Sequence, residues 1–290
     1  MKIAIETYVP ISTLGRREGL SAIKEAGFDA VDFSLFTKED RWLLRDDYRE
    51  QAVEIRSILD DVGLVCDQTH APFAGSKGDY KGMMYGDSFL ESCPNYLETV
   101  RAIEVSAILG ANHIVVHSLK APESEGLLEH NLEFYRSLLP YLEKYDMKVA
   151  VENLFFRIEN GFRERIGTAD GINNLLRQLN SDRFVVCVDV GHAYLVGIAP
   201  QDLISGLKPG SIKGLHIQDT DSTEDRHLLP YMGNIEWDAV LRAMKNAGYD
   251  GNLSLEVTKY LVNLPAGLMQ GALRYAAEVA NYLRCRYEMM

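Results

Sequence analysis

The chain has 290 residues, 47% of them hydrophobic and 25% charged, with a formal net charge of −12. This is the composition of an ordinary globular protein, and no apolar run approaches the ~20 residues needed to cross a bilayer. The acidic balance argues against a nucleic-acid partner, although a local basic groove or bound cations would reverse the field at one site.

Lys2–Glu6 reads as a strand and Arg16–Ala26 as an amphipathic helix stopped by Gly27. Strand Ala30–Leu35 precedes helix Tyr48–Val62 with Gly63 behind it, and strand Leu64–Gln68 precedes helix Tyr96–Leu109 with Gly110. Then come strand His113–His117 and helix Leu128–Tyr145, strand Lys148–Asn153 and helix Ala169–Leu179, and strand Phe184–Asp189 and helix Pro200–Leu207. Strand Ile212–Ile217, helix Trp237–Ala247 with Gly248, strand Asn252–Val257 and helix Ala266–Arg286 complete the series. Eight strand–helix units in a chain of this length predict a (β/α)8 TIM barrel, one domain over residues 1–290.

The start, MKIAIETYVP, runs straight into strand-like residues without the apolar stretch of a signal peptide, so a cytoplasmic location is expected. The four cysteines form no CxxC pair, and Cys66 and Cys187 read as buried thiols within strands.

Six strand candidates end in a metal-type ligand: His70, His117, Glu152, Asp189, His216 and Glu256. Parallel barrel strands bring their C-termini to one mouth, so distant residues can converge there. Alternation puts Glu152 on a face with Ala150, His216 with Gly214 and Ile212, and Glu256 with Ser254 and Asn252. Bulky Val149, Val151, Leu253 and Leu255 fall on the other face, where helices would cover them. Burying four such groups without a partner is costly, and a shared cation is the simplest compensation. Glu152, Asp189, His216 and Glu256 form a hard, oxygen-rich donor set that suits Mn²⁺, Mg²⁺ or Co²⁺ and can also hold Zn²⁺.

Three long connections lie at the mouth, 36–47, 71–94 and 220–236. The second carries Phe73, Tyr80, Met83, Met84, Tyr85 and Phe89, which suits either a lid over a small ligand or simple packing on the rim. The arginines of segment 155–167 (Arg157, Arg163 and Arg165) could hold an anionic substrate end or pair with Glu159 and Glu164. His113 and His130 read as structural or solvated.

The segments THAPF (69–73), VVHS (115–118), VENL (151–154), DVGHA (189–193), LHIQD (215–219), DRHLLPYMGNIEW (225–237) and LEV (255–257) together resemble the xylose-isomerase-like barrel superfamily. That superfamily holds sugar and sugar-phosphate isomerases and epimerases, and also the family 2 AP endonucleases. The resemblance implies a shared metal site at Glu152, Asp189, His216 and Glu256, with Mn²⁺ favoured. It implies Glu152 and Glu256 as the acid/base pair, moving a proton next to a carbonyl through an enediolate. It further implies His70, His117, His192, Asp225, Arg226 and His227 as substrate contacts, the substrate being a small carbohydrate. His70/His117 and His192/Asp225/His227 are the places for a second or third metal.

Two other chemistries fit the same residues. An endonuclease IV-like trinuclear zinc site would use nine ligands, and all nine positions carry a suitable residue here. The acidic DTDSTEDRH loop and the VENL and DVGHA segments favour the sugar branch. A polyol or keto-acid dehydratase would begin with the same proton abstraction and then expel hydroxide. No membrane partner is expected, and homo-oligomerisation is left open.

Overall fold

The computed structural model describes residues 1–36, 41–73, 94–119, 127–159 and 161–290. The expected lid residues Tyr80, Met83, Met84, Tyr85 and Phe89, and also Cys93, lie outside the described residues.

Eight parallel strands form the central sheet: β1 (Ile3–Glu6), β2 (Ala30–Ser34), β3 (Val65–His70), β4 (His113–Val116), β5 (Val149–Glu152), β8 (Phe184–Asp189), β9 (Ile212–His216) and β10 (Leu253–Leu255). They are ordered β10-β1-β2-β3-β4-β5-β8-β9. The ring closes through a parallel bridge between Ile217 and Leu255, with Ile217 N–H donating to Ser254 O and Glu256 N–H to Ile217 O. The protein is a TIM barrel of a single domain.

The expected helices are all present, most within a residue or two of their predicted bounds, and the last extends from Ala266 to Met289. Gly27 (φ 108°) and Gly63 (φ 75°) close their helices in the left-handed region that a side chain disfavours. Short helices at Tyr8–Leu14, Val190–Leu195 and Thr258–Leu261 were not foreseen. Nor was the antiparallel hairpin of β6 (Leu154–Ile158) and β7 (Gly161–Arg165), which occupies most of the arginine-bearing segment 155–167. No helix among the described residues is long and apolar enough to cross a membrane.

The two faces of the sheet carry the expected chemistry. Val149, Val151, Leu253 and Leu255 join the large core between sheet and helices. Val115, Ala150, Val185 and Cys187 make a separate small cluster. One expectation fails, because Ile212 packs in the outer core rather than sharing a face with Gly214. The register steps from Val186↔Ile212 to Cys187↔Gly214, so Lys213 is an extra residue that resets the alternation. An equivalent step from Val31↔Cys66 to Asp32↔Gln68 makes Asp67 the extra residue of β3.

Candidate functional site

Glu152 is the hub of the mouth. It ends β5, is buried, and sets two carboxylate oxygens among four imidazoles. Oε2 lies 2.9 Å from His117 Nε2 and 3.7 Å from His70 Nε2, while Oε1 lies 3.1 Å from His216 Nδ1 and 3.2 Å from His192 Nδ1. Asp189 ends β8 and caps the next helix by accepting from the His192 N–H at 2.7 Å. Asn153 fixes the Asp189 backbone, accepting from its N–H and donating to its carbonyl, both at 2.8 Å.

Glu256, one residue past β10, brings Oε2 to 3.4 Å from His216 Nδ1 and 3.6 Å from His227 Nδ1. That buried oxygen accepts no hydrogen bond among the described residues. Glu152, Asp189, His216 and Glu256 each offer one ligand atom within 4.8 Å of the other three. Two further sets meet the same limit, His70/Glu152/His216 and His192/Asp225/His227. An oxygen-rich quartet with an orphaned carboxylate oxygen fits a divalent cation.

The electrostatics follow from burial against close charge. Burial pushes the Glu152 carboxyl up, but His216, His117 and His192 outweigh it and hold it well below the usual carboxylate range. Burial pushes Glu256 up to about 7, with Glu152 and Asp189 adding to the rise and His216 and His227 opposing it. Burial drives His117 down to about 3 despite Glu152. His227 is buried too, yet Asp225 and Glu256 carry it to about 10.

Aromatic rings flank the polar centre on two sides. Phe73 stacks on His117 at 4.7 Å, and Phe36 meets Phe73, His70 and Tyr8 at 5.0–5.5 Å. On the other side Phe155 of the hairpin meets His192 edge-on at 5.0 Å. Arg157 and Arg163 lie over Phe162 and Phe156, and Arg165 is buried at the end of β7.

Of the residues singled out from sequence, nine converge, namely His70, His117, Glu152, Asp189, His192, His216, Asp225, His227 and Glu256. Arg226 is not among them, since it is exposed and paired with Asp221 at 3.1 Å. Arg226→Ala is therefore expected to leave the thermal midpoint and the catalytic rate unchanged within error, as a melting curve and an activity assay would show.

Other residues at the mouth were not foreseen. Gln218 Nε2 donates to Asp189 Oδ2 and to Asp225 Oδ1, each at 3.1 Å, and its Oε1 accepts from His227 N–H at 3.0 Å. A Cβ at Gly191 would fall 2.4 Å from Gln218 Cδ, so the glycine of DVGHA makes room for this amide. Asp32 lies 3.1 Å from His216 Nε2, and Glu6 bonds Thr258. Both acids sit at inward positions of otherwise apolar strands, a signal the sequence did contain.

The acidic, histidine-lined cluster lies at the C-terminal ends of the strands, where a (β/α)8 barrel carries its functional site. A family model described as "Xylose isomerase-like TIM barrel" matches residues 20–282, and the chain belongs to that family. The uncharacterized protein MJ1311 of Methanocaldococcus jannaschii is 29% identical over 170 residues, 55% of this chain and 56% of that protein. The uncharacterized protein y4fM of Sinorhizobium fredii is 25% identical over 262 residues, 83% of this chain and 81% of that protein. Among solved structures, a D-tagatose 3-epimerase-like protein superposes with a TM-score of 0.73 at 22% identity, covering 100% of this chain and 98% of the other. A D-psicose 3-epimerase superposes with a TM-score of 0.75 at 14% identity, covering 98% and 99%. These likenesses establish the fold.

Proposed function

We propose that the protein is a divalent-cation-dependent isomerase or epimerase of a small sugar or sugar phosphate. The observation that carries this reading is the convergence of Glu152, Asp189, His216 and Glu256 within 4.8 Å, with Glu256 Oε2 lacking a donor among the described residues. The names of two similar structures, the epimerases of D-tagatose and D-psicose type, support it.

Glu152, Asp189, His216 and Glu256 would hold the cation, which supplies positive charge for neighbouring carbonyl and hydroxyl oxygens of the substrate. The two glutamates reach the centre from β5 and from beyond β10. One takes the proton from the carbon beside the carbonyl. The other returns it to the same carbon from the opposite face, giving an epimer, or an adjacent carbon is reprotonated, giving an isomer. In the cation-free protein their proton affinities are unlike, with Glu152 held ionised and Glu256 near neutrality. His70 and His117 on one flank, and His192, Asp225 and His227 on the other, supply donors and acceptors for hydroxyls. Phe36, Phe73 and Phe155 present ring surface to sugar C–H faces and exclude water.

The test is a panel of ketoses, aldoses and their phosphates with the Mn²⁺-loaded protein in D₂O. Deuterium beside the carbonyl in a product of unchanged formula supports the reading. Loss of water would move it to a dehydratase.

The set His192/Asp225/His227 favours a second reading, a multi-metal hydrolase of the endonuclease IV type. Metal counting separates the two, because one equivalent fits the sugar reading and three with cleavage of an abasic duplex fit the other.

Cation binding to the folded state alone has a thermal signature. Chelation is expected to lower the midpoint. Mn²⁺ at a hundred times its dissociation constant should restore about 2.7 kcal/mol of stability, read by scanning calorimetry.

A further inference from the structure

Behind His216 a line of buried polar side chains crosses the barrel interior. His216 Nε2 donates to Asp32 Oδ2 at 3.1 Å. Gln68 Nε2 donates to the same Asp32 oxygen. Gln68 Oε1 lies 2.9 Å from His113 Nε2. All four side chains are at most 5% exposed.

The proton order along this line is dictated by what each atom can do. An ionised carboxylate only accepts, so the Gln68 NH₂ must face Asp32. The Gln68 carbonyl is then left for His113, and a carbonyl only accepts, so His113 Nε2 carries the hydrogen. The same logic puts a hydrogen on His216 Nε2 and, with no cation bound, on Nδ1 facing Glu152. Because Asp32 holds the Nε2 hydrogen, Nδ1 is the nitrogen left to offer a lone pair once a cation displaces its proton. Nδ1 is also the atom 3.1 Å from Glu152 Oε1 and 3.4 Å from Glu256 Oε2.

The backbone is shaped to admit this line. The extra residue Asp67 re-aims β3 so that Gln68 pairs in register with Asp32, on the inward side. The extra residue Lys213 does the same for Gly214 in β9. A Cβ at Gly214 would fall 2.6 Å from Gln68 Oε1 and 3.1 Å from His113 Nε2, so the line passes where a larger residue would block it. Two irregularities and one glycine thus make room for the same side chains.

We propose that Asp32, Gln68 and His113 are positioning residues that fix the tautomer and ring orientation of His216, so that Nδ1 faces the carboxylate cluster. This rests on the reading of that cluster as a cation site. Partners of this kind orient a ligating histidine and raise its basicity, and losing one weakens metal affinity by about 10- to 100-fold.

The experiment is Mn²⁺ titration calorimetry on the full-length, chelator-treated protein, with Gln68→Met, Asp32→Ala and His113→Gln variants. Gln68→Met keeps the side-chain length while removing both hydrogen bonds. We expect Gln68→Met and Asp32→Ala to bind Mn²⁺ at least about tenfold more weakly, with His113→Gln closer to the parent because its amide can still donate to Gln68. A second measurement needs no variant. Nitrogen-15 NMR of the imidazoles with diamagnetic Zn²⁺ should show His216 and His113 each protonated at Nε2. Parent-like Mn²⁺ affinity in folded Gln68→Met and Asp32→Ala, or a proton on His216 Nδ1 in the Zn²⁺ form, overturns the positioning line but leaves the cation site standing. Failure of the parent protein to bind Mn²⁺ at all overturns both.

Discussion

Glu152→Gln is expected to lower turnover by about 10²- to 10⁴-fold, the loss associated with removing a positioned acid or base. The substitution keeps size but replaces an acceptor-only group by an amide with two N–H donors. In the parent, both Glu152 oxygens face imidazole nitrogens at 2.9–3.7 Å, so the amide must turn an N–H toward one side of that set. Glu256→Gln should cost as much, since it removes the carboxylate whose Oε2 accepts no hydrogen bond among the described residues and which belongs to the same quartet. The measurement is deuterium exchange into substrate, alongside metal content per chain. Metal retained with exchange abolished assigns the residue to proton transfer. Near-native exchange in either variant would remove that glutamate from the acid/base role.

Asp219→Ala should be the most destabilising single change near the mouth. Asp219 is fully buried and accepts four hydrogen bonds, from Thr220 N (2.9 Å), Ile235 N (3.2 Å), Tyr231 N (2.8 Å) and Trp237 Nε1 (2.9 Å). It gathers the loop 220–236, which carries Asp225 and His227, onto the end of β9. Each buried donor left unmade costs about 1–3 kcal/mol, so a loss above about 3 kcal/mol is expected in urea unfolding. Asp219→Asn retains one acceptor oxygen and should fall between alanine and the parent. The local consequence separates this from a plain cavity effect. A folded alanine variant should lose the His192/Asp225/His227 side of the site before the Glu152 side. An alanine variant as stable as the parent would show that water replaces the carboxylate.

The strand ends were readable from sequence because each apolar run stops on one group that cannot be buried alone. VAVE, FVVCVD and IKGLH mark where three strands end and the inward direction of their last residue. The bulges were not readable. Lys213 and Asp67 look like ordinary strand residues, and only pairing with the neighbouring strand reveals that each is one too many. His113 looked remote from the mouth on strand position alone, yet the inward face of β4 leads it to Gln68 and so to the centre. The hairpin was hidden in the same way. Phe155–Arg165 carries charge and aromatics without a long apolar face, and its pairing is with itself rather than with the barrel. Gln218 was missed because a neutral amide gives no charge signal, although it ties Asp189, Asp225 and His227 together.

The seam of the ring has a consequence for synthesis on the ribosome. Ile3, Ala4 and Ile5 pair on one side with Leu253, Ser254 and Leu255, made roughly 250 residues later. At about 5–20 residues per second, the first strand waits roughly 10–50 s with one bare edge. Leu253–Leu255 is three residues long and meets its other neighbour at a single bridge, so this brief strand is what ends the wait. A nascent chain halted before it would carry an open, sticky edge and be a client for chaperones rather than a smaller working barrel.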